Sequence, residues 1–217
     1  MPRMLGTRML AVAICFSLSS CAGYRGGWEN IPYIGTPPPT PSVTRTNYEA
    51  GKRQELALPG LRLSVRLNNP SLDSDTLVYA YVIPVPAPSV GTPSDAPKKA
   101  KVTLFITPRE EGYVFQPLLA TLSVGGQTAS ALGEYTDARF IGFKDRVAVH
   151  ADPQRIADES PLSTGKSYIF DVEFPLPAPS PQAPDVALDL PRALQAPGQP
   201  TIPLIRFLPV RWGNWYG

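Results

Sequence analysis

Apolar residues recur at every second position over much of this chain, and no stretch sustains the 3.6-residue repeat of a surface helix. Residues 61–67 (LRLSVRL) alternate strictly, with Leu61, Leu63, Val65 and Leu67 on one side and Arg62, Ser64 and Arg66 on the other. That pattern predicts a half-buried strand, ended by Asn68-Asn69-Pro70. Residues 76–83 (TLVYAYVI) are apolar on both faces and rich in β-formers, predicting one strand buried on both sides. In residues 101–107, Val102, Leu104 and Ile106 alternate with Thr103 and Phe105. Residues 119–124 and 127–132 flank Gly125-Gly126, a two-residue hairpin signal because both central positions of a type I′ turn need positive φ. Residues 167–174 set Tyr168, Phe170, Val172 and Phe174 on one face, with Asp171 and Glu173 opposite. Shorter strands are expected at 186–190 and 204–208, and one helical turn at 153–159.

Seven or eight short strands separated by turn residues predict an all-β fold, an antiparallel β-sandwich over residues 56–217. Residues 162–168 (LSTGKSY), a loop turning into a strand, resemble the entry to a late strand of immunoglobulin-like domains. That resemblance implies an immunoglobulin-like sandwich with long proline-rich loops. The chain has 27 prolines in 217 residues, well above the ordinary ~5%. They gather at 32–41, 84–97 and 175–203. Proline fixes φ and removes a donor, so these segments are not expected inside helices or central strands. Residues 21–55 therefore read as a proline-rich tether, and 84–100 as a long loop, with Lys98, Lys99 and Lys101 as a basic cluster at its end.

The N-terminus has a different character. Arg3 and Arg8 precede an uncharged run at 9–18 (MLAVAICFSL) and then small residues, which is the layout of a secretory signal. Ten residues rise only about 15 Å as a helix, against roughly 30 Å of hydrocarbon, so this run does not span a bilayer. Leu18-Ser19-Ser20-Cys21 resembles the lipobox of bacterial lipoproteins. The resemblance implies removal of residues 1–20 as a signal peptide and lipidation of Cys21, which becomes the new N-terminus. In that family an aspartate after the cysteine often retains the protein at the inner membrane. Here Ala22 follows, implying a lipid anchor in the outer membrane of a Gram-negative cell, facing the periplasm.

Loss of residues 1–20 takes away Arg3 and Arg8 and no acid, leaving 18 basic against 18 acidic residues. A neutral chain without a clustered excess of Lys and Arg does not suit nucleic acid. Cys15 lies in the signal and Cys21 takes lipid, so no thiol remains for a disulfide, a thiolate metal site or redox chemistry.

Candidate chemistry is sparse. His150 is the only histidine, with Asp152 two residues on, and no Gly-x-Ser-x-Gly elbow accompanies it. One histidine does not supply a zinc site, and no cofactor or metal is expected. Carboxylates occur at Glu110, Glu111, Glu134, Asp137, Asp171 and Glu173, but sequence does not say whether two of them meet across a glycosidic bond. The best candidate contact site is the C-terminus, where Arg211, Trp212, Trp215 and Tyr216 combine residue types enriched in interface hot spots. The alternative is that Trp212 and Trp215 cap the open end of the sandwich. The sequence thus predicts a non-enzymatic lipoprotein acting as a structural or accessory binding module. The alternatives are an accessory subunit of an envelope secretion or assembly machine, with an envelope protein partner, and an enzyme acting on cell-wall glycan.

Overall fold

The computed structural model describes residues 22–39, 54–69, 76–80, 83–87, 98–132, 135–136, 140–144, 147–150 and 158–216; side chains are described for 27–39, 54–69, 98–132 and 158–213. Strands are numbered in chain order. A seven-stranded sheet runs β5 (Ile83–Ala87), β4 (Thr76–Ala80), β1 (Ala22–Ile34), β17 (Ile205–Tyr216), β15 (Val186–Asp189), β8 (Thr121–Val124), β9 (Gln127–Ser130). A five-stranded sheet runs β10 (Tyr135–Thr136), β14 (Tyr168–Pro177), β6 (Lys99–Pro108), β3 (Leu61–Asn68), β2 (Glu55–Leu58). Two small sheets complete the set: β11 (Phe140–Lys144) with β12 (Val147–His150), and β7 (Val114–Phe115) between β13 (Ser160–Pro161) and β16 (Leu194–Gln195). Among the described residues every pairing is antiparallel. Among the described residues the helical element is one 3₁₀ turn, Pro117–Leu119.

The two large sheets bury one shared core. Leu61, Leu63, Val65 and Leu67 of β3, Val102, Leu104 and Ile106 of β6, and Phe170, Val172 and Phe174 of β14 supply one side. Leu122, Val186, Leu188, Ile205 and Phe207 supply the other. Phe115, from the three-stranded sheet, is fully buried and sets its ring 4.6 Å from that of Phe170. Burial follows the alternation predicted for β3 and β14 except at Ser64, which is buried, and Tyr168, which is half-buried, because successive side chains on a strand face opposite sides. The Gly125-Gly126 hairpin forms as expected: Val124 pairs with Gln127, and the glycines have φ of 55° and 84°. Left-handed φ at both central positions twists the turn in the sense of its flanking strands.

Four expectations are corrected. Residues 22–34, expected to be tether, form β1 and pair with β17 along twelve positions, from Gly23 opposite Tyr216 to Ile34 opposite Ile205. Residues 76–83 are not one strand: Ala80 pairs with Ile83, and the segment beyond, expected as loop, is strand β5. The strand at 101–107 starts earlier, so Lys99, expected in the loop, lies in β6 with Lys101. The strand order is also not that of an immunoglobulin domain, where the first and last strands lie in different sheets. Here they are antiparallel neighbours in the middle of one sheet. The helical turn expected at 153–159 falls mostly outside the described residues.

The prolines explain why β1 and β5 are hard to see in the sequence. Pro84 and Pro86 lie in β5, which among the described residues is an edge strand paired on one side, to β4. Pro32 pairs with Phe207, and Asn30 with Pro209, two positions along the same ladder. Pairs two apart are of one type, so non-hydrogen-bonded pairing turns both proline nitrogens away from the shared ladder. Among the described residues, strand β4 pairs with β1 from Ala22 to Tyr24, and β15 reaches β17 from Val186 to Leu188. Continuing the β15 register would set Pro184 opposite Pro209, and the chain departs at Asp185 with φ 56°. In β14 the ladder breaks between Phe174 and Pro177, at the position of Pro175.

Candidate functional site

The aromatic C-terminus is the second half of β17, held by β1. Register sets Arg211 opposite Trp28, Trp212 opposite Gly27, Trp215 opposite Tyr24 and Tyr216 opposite Gly23. Arg211 is exposed and Trp28 half-buried, whereas Trp212 is 8% exposed. A buried indole is packing surface, not a free contact. The side chains of Tyr24, Trp215 and Tyr216 lie outside the described ones.

The burial pattern along β17 changes phase. Ile205 and Phe207 are buried in the shared core, with Arg206 exposed between them. Farther along, Val210 and Trp212 are buried and Arg211 is exposed. The ladder to β1 runs through this change without a register shift, so Val210 and Trp212 belong to the sheet face opposite Ile205 and Phe207. Ile31, opposite Leu208, is on that second face and also buried. These three residues stand apart from the main core cluster. The β1–β17 pair is therefore buried first on one face and then on the other.

A second feature is a polar row across the outer face of the five-stranded sheet. The Asn68 amide donates to the Thr103 hydroxyl at 2.8 Å, which donates to one Asp171 carboxylate oxygen at 2.5 Å. The Lys101 ammonium takes the other oxygen at 3.0 Å. Thr103 is buried, and the Lys101 and Asp171 side chains are 27% and 13% exposed. The row ties β3, β6 and β14 together. Local alternation puts Asp171 on the polar face of its strand; the cross-strand register that brings Lys101 and Thr103 to it is not legible in local spacing.

The remaining candidates scatter. Glu110 accepts a hydrogen bond from the Gln199 amide, Glu111 is exposed, and Glu173 is half-buried on the outer face. Glu134, Asp137, Asp152 and Cys21 lie outside the described residues. His150 ends β12 opposite Phe140, and its side chain is outside the described ones. A shallow groove of about 290 Å3 is lined by Glu55, Ala57, Leu58, Pro59, Leu61 and Arg109. It falls just below the roughly 300–1,000 Å3 typical of small-molecule sites. Its charged residues are already paired, Glu55 to Arg109 at 3.4 Å and to Arg62 at 3.2 Å. Tyr113 beside it is buried and donates to the Pro59 carbonyl at 3.3 Å. Burial, then the nearby Glu110 charge, raises its phenol above the usual value.

Among the described residues, no three of His, Cys, Asp and Glu gather as a metal-binding group, and no helix is long and apolar enough to cross a membrane. No protein-family model, curated protein or solved structure matches the chain.

Proposed function

We propose that this chain is a bacterial lipoprotein: an all-β domain anchored through acylated Cys21 to the periplasmic face of the outer membrane, serving as a non-enzymatic structural or accessory binding module. The reading rests on the signal-like residues 1–20 and the lipobox-like Leu18-Ser19-Ser20-Cys21. The observation that carries it is the position of β1, whose first residue, Ala22, directly follows Cys21. Processing before Cys21 removes no residue of the described sheet, and it leaves the acylated residue at the very start of a paired strand. One acyl chain gives only marginal attachment, and two or more hold a protein on the membrane stably. The polar row and the surface groove fit a scaffold, since their charged groups are taken up by one another.

The test is Cys21→Ser in cells fed an alkyne fatty acid. The expected outcome is loss of label and accumulation of unprocessed precursor or a soluble form. Label retained by the variant overturns the assignment.

A further inference from the structure

We propose that the end of the β1–β17 pair next to Cys21 sits in the headgroup layer of the membrane that holds the anchor. The paired strands, not a flexible tether, then set the height of the domain. This inference rests on the lipoprotein reading above. Its first support is the absence of a spacer. Cys21 is joined directly to Ala22, and Ala22 and Gly23 are already in the sheet, opposite Tyr79 of β4 and Tyr216 of β17. At about 3.3 Å per residue, the first pairs of the ladder lie within roughly 7 Å of chain from an acylated Cys21. A domain on a thirty-residue tether is free to tumble; a domain whose second residue after the anchor is hydrogen-bonded is not.

The second support is what the register gathers at that end. Tyr24 stands opposite Trp215, Gly23 opposite Tyr216 and Ala22 opposite Tyr79. Four Tyr and Trp residues from three distant parts of the chain thus meet within three register positions of the anchor. Tyr and Trp are enriched where membrane meets water, because each joins an apolar ring to a polar tip. The third support is charge. Counting inward from this end, Arg25 and Arg211 come before the first acid on either strand, Glu29. That order suits phosphate headgroups, which favour nearby arginine and disfavour carboxylate. Beyond Glu29 the pair continues to Ile34 and Ile205, where the shared core begins. The thirteen residues of β1 span about 40 Å at that rise, so an upright pair would hold its far end at that height.

The experiment uses the full processed, acylated protein in vesicles of phosphatidylethanolamine and phosphatidylglycerol. One set of vesicles carries bromine on the acyl chain just below the headgroups, and another near the chain ends. The expected result is flotation with the vesicles and loss of tryptophan emission, larger with shallow than with deep bromine. The wild-type measurement needs no substitution. A Trp28→Phe, Trp212→Phe variant then leaves Trp215 as the only reporter and should show the larger loss. Protein that floats with emission unaffected by either lipid, and open to aqueous acrylamide, overturns the seating and leaves the anchor standing. Emission shielded only after solubilised envelope proteins are added also overturns it, in favour of a protein contact. Protein without acyl mass that fails to float overturns the anchor reading itself, and this inference with it.

Discussion

Neighbours in β14 meet opposite surroundings. Phe170 is buried against Phe115, while Asp171 faces outward. Phe170→Ala leaves a cavity in a shared core and should cost about 3–5 kcal/mol in a urea melt. From the sequence alone, Asp171 reads as a solvated acid whose removal is almost neutral. Its bonds to Lys101 and Thr103 change that expectation. Asp171→Ala strands a mostly buried ammonium and a buried hydroxyl, and should cost about 1–3 kcal/mol. A loss below about 0.5 kcal/mol, usual for an ordinary surface site, would mean that the row does not hold in solution. Tyr113 makes a prediction in pH. Its phenol is raised above its ordinary 10.0 by burial and then by Glu110. The unfolded chain thus gives up this proton first as pH rises. Stability from Tyr113 is fully present below about pH 10 and is lost as pH climbs through the folded value. Tyr113→Phe should flatten that part of the stability curve, and an unchanged slope would contradict the assignment.

Strands were legible where one face is core and the other is water. The alternation in β3, β6 and β14 predicted which face is core, though not that Ser64 and Thr103 are buried on the other face or that Tyr168 is only half-buried, and the glycine pair located the β8–β9 hairpin. Strands that break this rule were missed. β1 carries three glycines and a proline in thirteen residues and never alternates cleanly. Its place in the sheet comes from a partner nearly two hundred residues away, and no local pattern encodes that. In β17 the change of buried face hides the second half of the strand, so the prediction stopped at Leu208. The same change bears on Trp212, which sequence reasoning left open between partner contact and packing. Its burial predicts that Trp212→Ala destabilises the isolated domain by about 3–5 kcal/mol. A melting temperature unchanged by this substitution would return Trp212 to the surface.

For the whole molecule, composition identified the class but not the closure. An all-β sandwich follows from many short strands and the absence of helical repeats, and the structure has that architecture. Its boundary is not legible from proline propensity, which marks residues 22–34 as tether although they form β1. Pro32 and Pro209 both lie within the β1–β17 ladder, so proline content does not prevent pairing. Joining the first and last strands makes residues 22–34 part of the domain. The direct measurement compares chains of residues 22–217 and 50–217 by thermal melting and hydrogen exchange, both without lipid. The account predicts that 22–217 melts cooperatively and at clearly higher temperature, with amides of residues 27–34 protected nearly as well as the core of β6. Equal melting of the two chains, with those amides exchanging at the rate of free peptide, would contradict it and restore the tether.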